Sequence, residues 1–370
     1  MKKYTTFPTH KLATEQRWQD EQTHKHHKLT NLPPNRGDKM IDIENLLSLI
    51  KKHYDNAQSE TEKIFRTIKI KPFKLSDEKM DLVGIDGSYT FLLNFSSVWI
   101  ALIRVAALHY SLDGGFVLKD KKSVDRYVPI AADEKIVETF PEKYQKLLKT
   151  IKMKNPNEIV NEYRRILEHQ FVNEISKEKI NCIVALDGAL TTPFSKEFAD
   201  MMNDTIKNCE KNNNILVGVS KDSLTHAFGS YFTDEELLCN FKDGLYYVKA
   251  PDDFQKKYKP PLYGDVYFAC LHPKSKWFRI DIGTHKNEPE NVFSKLANYA
   301  KSSICPGYVY PLLEAHRYVV TVRQFKEIYE NEILRVASKH FSINEIINAF
   351  TDVDGKRNSS FHSFLDRVSR

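Results

Sequence analysis

The sequence predicts an α/β fold: a mixed sheet of three antiparallel strands followed by parallel crossovers, flanked by helices. Three observations predict it. Apolar runs at Leu82–Ile85, Ile180–Leu186 and Ile215–Val219 have the length and continuity of strands buried on both faces. The early strands follow one another through a turn at Asp113-Gly114-Gly115, a hairpin signature. The later strands alternate with stretches of helical periodicity, which makes crossovers and a sheet covered by helices.

The elements follow in order. Residues 1–38 are polar, with His24, His26 and His27 clustered and Pro33-Pro34 near the end, and read as a flexible N-terminal arm. Between Ile41 and about Ile68 the residues Ile43, Leu46, Leu47, Ile50 and Tyr54 fall at helical spacing. This predicts a long amphipathic helix, a candidate dimer or partner surface. A first strand ends at Asp86. Phe95–Tyr110 and Phe116–Leu118 form the hairpin; a helix is the rival reading for part of 96–110, where Ala, Leu and Arg are frequent. Residues 119–156 are Lys-rich and read as irregular with helical stretches. A helix runs from Asn157, its candidate cap, to about Ile175. Ile180–Leu186 is the fourth strand, and a helix after Pro193 reaches about Lys211. Ile215–Ser220 is a further buried strand, followed by Lys221. Residues 222–260 are less regular. Tyr263–Leu271 and Trp277–Ile282 alternate as an antiparallel pair, and Glu290–Ser303 is helical. Cys305–Pro311 is a rigid loop, and a helix starting near Leu312 carries Glu314 and His316. Residues 323–370 are helical and then polar. Three antiparallel strands followed by crossovers are the order of ribonuclease H-like folds. The reading divides the chain into the arm 1–38, a domain 39–322 with insertions at about 119–156 and 222–260, and a C-terminal helical extension 323–370.

Composition narrows the classes. Of 370 residues, 41% are hydrophobic and 28% charged, the balance of an ordinary globular chain. No stretch approaches the roughly 18–20 continuous apolar residues of a membrane helix, and the N-terminus has no apolar signal core, so a cytoplasmic location is expected. Cys182, Cys209, Cys239, Cys270 and Cys305 are odd in number and scattered, which argues against a disulfide frame or a zinc site. A net charge of +6 permits a polyanionic partner without requiring one.

The chemistry is carried by two Asp-Gly pairs. Asp86-Gly87 and Asp187-Gly188 each end a buried apolar run, whereas Asp113-Gly114, Asp243-Gly244 and Asp354-Gly355 read as ordinary turns. Neighbouring strands would bring both carboxylates to one sheet edge. Phosphodiester hydrolysis needs an activated water and charge at the phosphate, which two divalent ions roughly 3.5–4 Å apart supply. Hard ions such as Mn²⁺ or Mg²⁺ take oxygen ligands. The helix before the fourth strand offers a third carboxylate from Glu158, Glu162, Glu168 and Glu174, with Glu168 the best placed among apolar neighbours; a solvated surface glutamate is the alternative. Lys221 ends a buried strand as the aspartates do and is a candidate to neutralise phosphate charge. His316 reads either as a structural histidine or as a ligand and proton relay. Ser88 and Ser220 read as turn caps or as hydrogen-bond donors to substrate.

Four short elements occur in order: Gly84-Ile85-Asp86-Gly87-Ser88, Ala185-Leu186-Asp187-Gly188-Ala189-Leu190, Val217-Gly218-Val219-Ser220-Lys221 and Gly307-Tyr308-Val309-Tyr310-Pro311-Leu312-Leu313-Glu314-Ala315-His316. This ordered set resembles the NurA nuclease family from about Leu82 to Val320. The resemblance implies a ribonuclease H-like fold and a DNA nuclease dependent on Mn²⁺ or Mg²⁺, acting 5′ to 3′ on single strands and duplex ends. It also implies a toroidal homodimer fed by a hexameric HerA-type ATPase, in end resection and repair or in phage defence. By motif position Asp86 and Asp187 are metal ligands, Glu168 matches the helix glutamate, His316 the C-terminal catalytic histidine, and Tyr308 the family tyrosine, with Tyr310 its rival. The sequence departs from the pattern at Val309, where proline is usual, and at Ala189, where serine is common.

No GxxxxGK[ST] element is present, so a motor must come from a partner. Basic clusters at Lys119, Lys121, Lys122 and Arg126, and at Lys256, Lys257 and Lys259, are candidate contacts to nucleic-acid phosphates or simply solvated charge. Two rival functions remain: a non-catalytic DNA-binding assembly subunit of such an ATPase, and another ribonuclease H-like nuclease acting on RNA.

Overall fold

The computed structural model describes residues 43–357 except 132, 141, 143–144, 146–154, 192–195, 240, 242, 260, 285–286 and 353–354. The arm expected over 1–38, with its histidine cluster, lies outside the described residues. The chain divides into two compact units, Met1–Asn56 and Ala57–Arg370. Helix α1 (Ile43–Phe65) begins in the first and ends in the second. Residues 43–56 of the first unit are all exposed, the apolar stripe included. In the second unit Ala57 and Thr61 of α1 are buried, and the Thr61 and Ser230 hydroxyls hydrogen-bond at 3.0 Å.

The second unit is built on a nine-stranded sheet in the order β1-β7-β8-β9-β6-β5-β2-β3-β4. The strands are β1 (Lys71–Pro72), β2 (Asp81–Asn94), β3 (Val98–Leu112), β4 (Phe116–Ala131), β5 (Cys182–Asp187), β6 (Ile215–Ser220), β7 (Tyr246–Lys249), β8 (Asp265–Cys270) and β9 (Phe278–Ile282). β2, β3 and β4 form the expected antiparallel meander. β5 then pairs parallel to β2, and β6 parallel to β5, through the crossover helices. β9, β8 and β7 extend the sheet antiparallel on the other side. The mixed sheet is the predicted architecture.

The remaining elements are the helices α2 (Glu134–Val137), α3 (Pro156–Glu178), α4 (Lys196–Lys211), α5 (Asp234–Leu238), α6 (Asp252–Lys257), α7 (Pro289–Leu296), α8 (Tyr310–Val319), α9 (Thr321–Gln324), α10 (Lys326–Ala337) and α11 (Ile343–Ala349), with a 3₁₀ turn at Ala297–Tyr299. Strand side chains alternate between two apolar cores. Leu82, Ala106, Ala185, Val217 and Ile280 pack under α7 and α8. Val83, Ile85, Val105, Val184 and Leu216 pack under α3 and α4. The sheet is therefore buried on both faces, which is why its central strands read as continuous apolar runs. None of the described helices is long and apolar enough to cross a membrane.

Several boundaries differ from expectation, each for a physical reason. β2 does not stop at Asp86 but runs eight residues further, because Gly87 continues the ladder opposite Val105. The rival helix over 96–110 is replaced by β3. Residues 119–131, expected to be irregular, are the last part of β4. That strand is an edge, mostly exposed and charged, so it lacks the apolar pattern that marks a buried strand. Asn155, not Asn157, caps α3: its side chain accepts the Asn157 N–H at 2.9 Å, and Pro156 takes the first helical position. The helical stretch after Pro289 stops at Tyr299, whose hydroxyl donates to the Met80 and Tyr110 carbonyls. α8 starts two residues before Leu312, again with a proline in its first turn.

Candidate metal and phosphate site

The site begins where β5 leaves β2. Their ladder ends at the pair Ile85 and Leu186, so Asp86 and Gly87 have no β5 neighbour beyond it. Asp187 is the last residue of β5, and Gly188 turns the chain at φ 134°, a region that only glycine enters readily. Asp86 shares the sheet face of Leu82, and Asp187 that of Ala185, so both carboxylates turn toward α8. Gly84 lets α8 come down: a Cβ there would lie 2.5 Å from the Pro311 carbonyl carbon. The descent brings His316 to the aspartates.

The outcome is a tight cluster. His316 Nδ1 lies 2.7 Å from Asp86 Oδ2, and the Gly87 N–H donates to Asp86 Oδ1 at 2.7 Å. Lys221, one residue past β6, pairs with Asp187 and lies 4.0 Å from Asp86. Ligand atoms of Asp86, Asp187 and His316 all fall within 4.8 Å of one another. Two carboxylates and an imidazole at that separation suit a hard or borderline divalent ion such as Mn²⁺ or Mg²⁺.

Glu168 approaches from the opposite face. α3 packs against β2 at Gly87, where a Cβ would lie 2.7 Å from Glu168 Oε1 and 3.2 Å from Arg164 Cγ. Glu168 is 3% exposed and pairs with Arg164 one turn earlier. It is not one of the three groups whose ligand atoms come together. The other candidates on α3 lie elsewhere in the network: Glu162 pairs with Arg165, and Glu174 with Lys122.

Burial and mutual repulsion dominate the electrostatics. Desolvation pushes the Asp187 carboxyl above the usual range; the Asp86 charge adds to this and Lys221 opposes it. Glu168 is also raised by desolvation, with Arg164 working against it and Asp86 with it. For Arg164, burial disfavours the charge, but Glu168, Asp86 and Asp187 outweigh it. A cluster of carboxylates this crowded is poised to be neutralised by cations.

The two tyrosines separate. The buried Tyr308 hydroxyl makes no well-formed hydrogen bond, and desolvation followed by the Asp187 and Asp86 charges raises it far above its ordinary value. The Lys221 ammonium sits 5.5 Å from the Tyr308 ring centroid. Tyr310 instead stacks on Phe116 at 4.4 Å and meets Tyr110 edge-on. Ser88 lines the cavity over the aspartates, which measures about 410 Å³. Ser220 pairs with Arg279 in the β6–β9 ladder. The basic cluster on β4 is largely engaged: Lys119 with Asp113, Lys122 with Glu174 and Glu178, and Lys121 over the Tyr318 ring.

Sequence reasoning missed several contributors. Arg164, Asn161, Tyr89 and Arg323 also line the cavity. The loop after Asp187 is braced from below. Asp281 accepts the Leu190 N–H at 3.0 Å and is itself held by the buried Arg279, while Arg165 donates to the Thr191 carbonyl. Only Arg164 had a signal in sequence, its spacing of four residues from Glu168 on a helix.

The chain is similar to a known family in sequence and to known proteins in fold. A family model described as the NurA domain matches residues 80–321. The NurA nuclease of Sulfolobus solfataricus is similar in structure with a TM-score of 0.51 and 14% identity, covering 84% of this chain and 100% of that one. A NurA structure bound to dAMP and manganese matches with a TM-score of 0.48 and 12% identity, covering 86% and 100%. The catalytic domain of human endonuclease V matches with a TM-score of 0.36 and 11% identity, covering 78% of this chain and 98% of that one. No curated protein matches the chain in sequence.

Proposed function

Because the chain belongs to the NurA family, we propose that it is a metal-dependent DNA nuclease that hydrolyses phosphodiester bonds. The convergence of Asp86, Asp187 and His316 within 4.8 Å carries the reading. Asp86, Asp187 and His316 would hold the ion, with Glu168 completing the ligand set from below. A bound Mn²⁺ or Mg²⁺ supplies positive charge for the phosphate and acidifies an attacking water. Asp86 fixes the ring of His316 through Nδ1, which leaves Nε2 to take a proton from water or to serve as a ligand. Lys221, lying between both aspartates, supplies a compact charge for the scissile phosphate. Tyr308 stays protonated beside Asp187, where its buried hydroxyl is placed to orient that carboxylate.

The family resemblance extends the proposal. The substrates are single-stranded DNA, cut exonucleolytically 5′ to 3′ and endonucleolytically, and duplex ends. A homodimer of this chain works with a HerA-type hexameric ATPase, in end resection and repair or in phage defence. Residues 39–322 form the nuclease domain, and 323–370 a C-terminal extension.

The test is cleavage of end-labelled single-stranded DNA, duplex DNA and RNA with Mn²⁺, Mg²⁺ or chelator, by wild type and Asp86→Ala. Metal-dependent cutting of DNA that Asp86→Ala abolishes is expected. Cutting that survives chelation, or full activity in the variant, overturns the reading; preference for RNA would favour the ribonuclease H-like alternative.

A further inference from the structure

Each carboxylate of the centre has its own nitrogen partner at a separate position in the chain. Asp86 has His316, Asp187 has Lys221, and Glu168 has Arg164. The first two partners already have roles in the proposed reaction. Arg164 does not, and its geometry is unlike that of a simple helix-surface ion pair.

Its guanidinium is gripped at three points. Nε and Nη2 donate to Asn161 Oδ1 at 3.2 and 3.0 Å, and Nη1 donates to the Gly87 carbonyl at 3.3 Å and to Glu168. Gly87 follows Asp86 directly, so the fork lies beside the residue that holds the centre. The side chain is 19% exposed, and it borders the same cavity as Asp86, Asp187 and Lys221. Arg323, another guanidinium on that cavity, is tied to the Tyr89 carbonyl at 3.0 Å and lies over the Tyr89 ring.

We propose that Arg164 is a phosphate-gripping residue that guards Glu168 until ions arrive. The inference rests on the metal-nuclease reading above. A divalent ion held by Asp86, Asp187 and His316 would add positive charge, and Arg164 would then compete with it for Glu168. Because both residues sit on α3 one turn apart, release needs only a rotamer change and leaves the helix in place. The freed fork keeps its anchor on Asn161 and turns into the cavity, where a DNA phosphate must lie to reach the aspartates. A planar fork with several donors suits two phosphate oxygens at once, which a lysine cannot match. The arginine thus neutralises the acidic centre while it is empty and the substrate once it is loaded.

The experiment compares wild type, Arg164→Gln, Arg164→Lys and Glu168→Gln. Mn²⁺ affinity is measured by calorimetry, single-stranded DNA affinity by anisotropy in Ca²⁺, and cleavage at saturating Mn²⁺; circular dichroism checks each fold. For Arg164→Gln, Mn²⁺ binding should hold or tighten, DNA affinity should fall about tenfold, and kcat about a hundredfold. Arg164→Lys should keep Mn²⁺ binding and recover part of the DNA affinity. If Arg164 merely braces Glu168, Arg164→Gln will weaken Mn²⁺ binding as Glu168→Gln does and leave DNA affinity unchanged, which overturns the proposal. Wild type that binds no Mn²⁺, while Arg164→Gln still loses DNA affinity, would sink the metal reading and leave the phosphate contact standing.

Discussion

His316 Nδ1 sits 2.7 Å from Oδ2 of Asp86, across 230 residues of chain. The contact joins the first strand of the meander to a helix near the end of the domain. It exists because Gly84 has no side chain to hold α8 off the sheet.

That contact should be functional more than structural, since His316 is 45% exposed. His316→Gln is expected to lower kcat by about 10²-fold, the usual scale of a lost acid–base group, with little change in melting temperature. Cleavage kinetics beside thermal melts check this. A variant with undiminished kcat would remove His316 from the reaction.

The raised carboxylates make stability depend on pH. Asp187 and Glu168 hold their protons more tightly in the fold than in the unfolded chain. Between the unfolded value of roughly 4 and the raised folded values, the native state binds more protons, so stability falls as pH rises through that window. Without metal, the melting temperature should drop from about pH 4 toward neutrality. Asp187→Asn should flatten the slope. Mn²⁺ should oppose it, because the ion binds only the folded, deprotonated site and stabilises more as pH climbs. Scanning fluorimetry across pH, with and without Mn²⁺, reads all three; an unchanged slope in Asp187→Asn would contradict the assignment.

Gly84 and Gly87, on opposite faces of β2, should fail differently. Gly84→Ala drives a methyl into the Pro311 backbone at 2.5 Å, where nothing flexible can yield. A loss of about 1–3 kcal/mol is expected, as for overpacked cores, together with loss of activity as α8 shifts. Gly87→Ala meets the Glu168 carboxylate and the Arg164 stem, which are side chains that can swing away. It should unfold nearly as wild type does in urea, yet lose Mn²⁺ affinity.

The Arg279–Asp281 pair beneath the Asp187 loop is almost wholly buried, at 3% and 1% exposure. Asp281→Ala would strand the guanidinium and free the Leu190 N–H. Removing one partner of such a pair costs about 3–5 kcal/mol. Urea denaturation measures it, and an equally stable variant would show that Tyr258, whose hydroxyl lies 3.0 Å from Arg279, suffices to hold the charge.

The sequence by itself determined the central strands, the crossover helices and the candidates Asp86, Asp187, Lys221, Tyr308 and His316. Those signals are local: a strand buried on both faces must be continuously apolar, and a motif keeps its residues in order. The exposed edge strand β4 escaped notice beyond Leu118 because solvation removes that pattern. Tertiary structure alone decided that Asp86 lies within a strand, that Tyr308 and not Tyr310 faces the aspartates, and that Glu168 is held by Arg164 on the far side of Gly87. Those outcomes depend on which face a side chain takes and on how closely two backbones approach. Both are set by packing between segments far apart in the chain, where no local pattern records them.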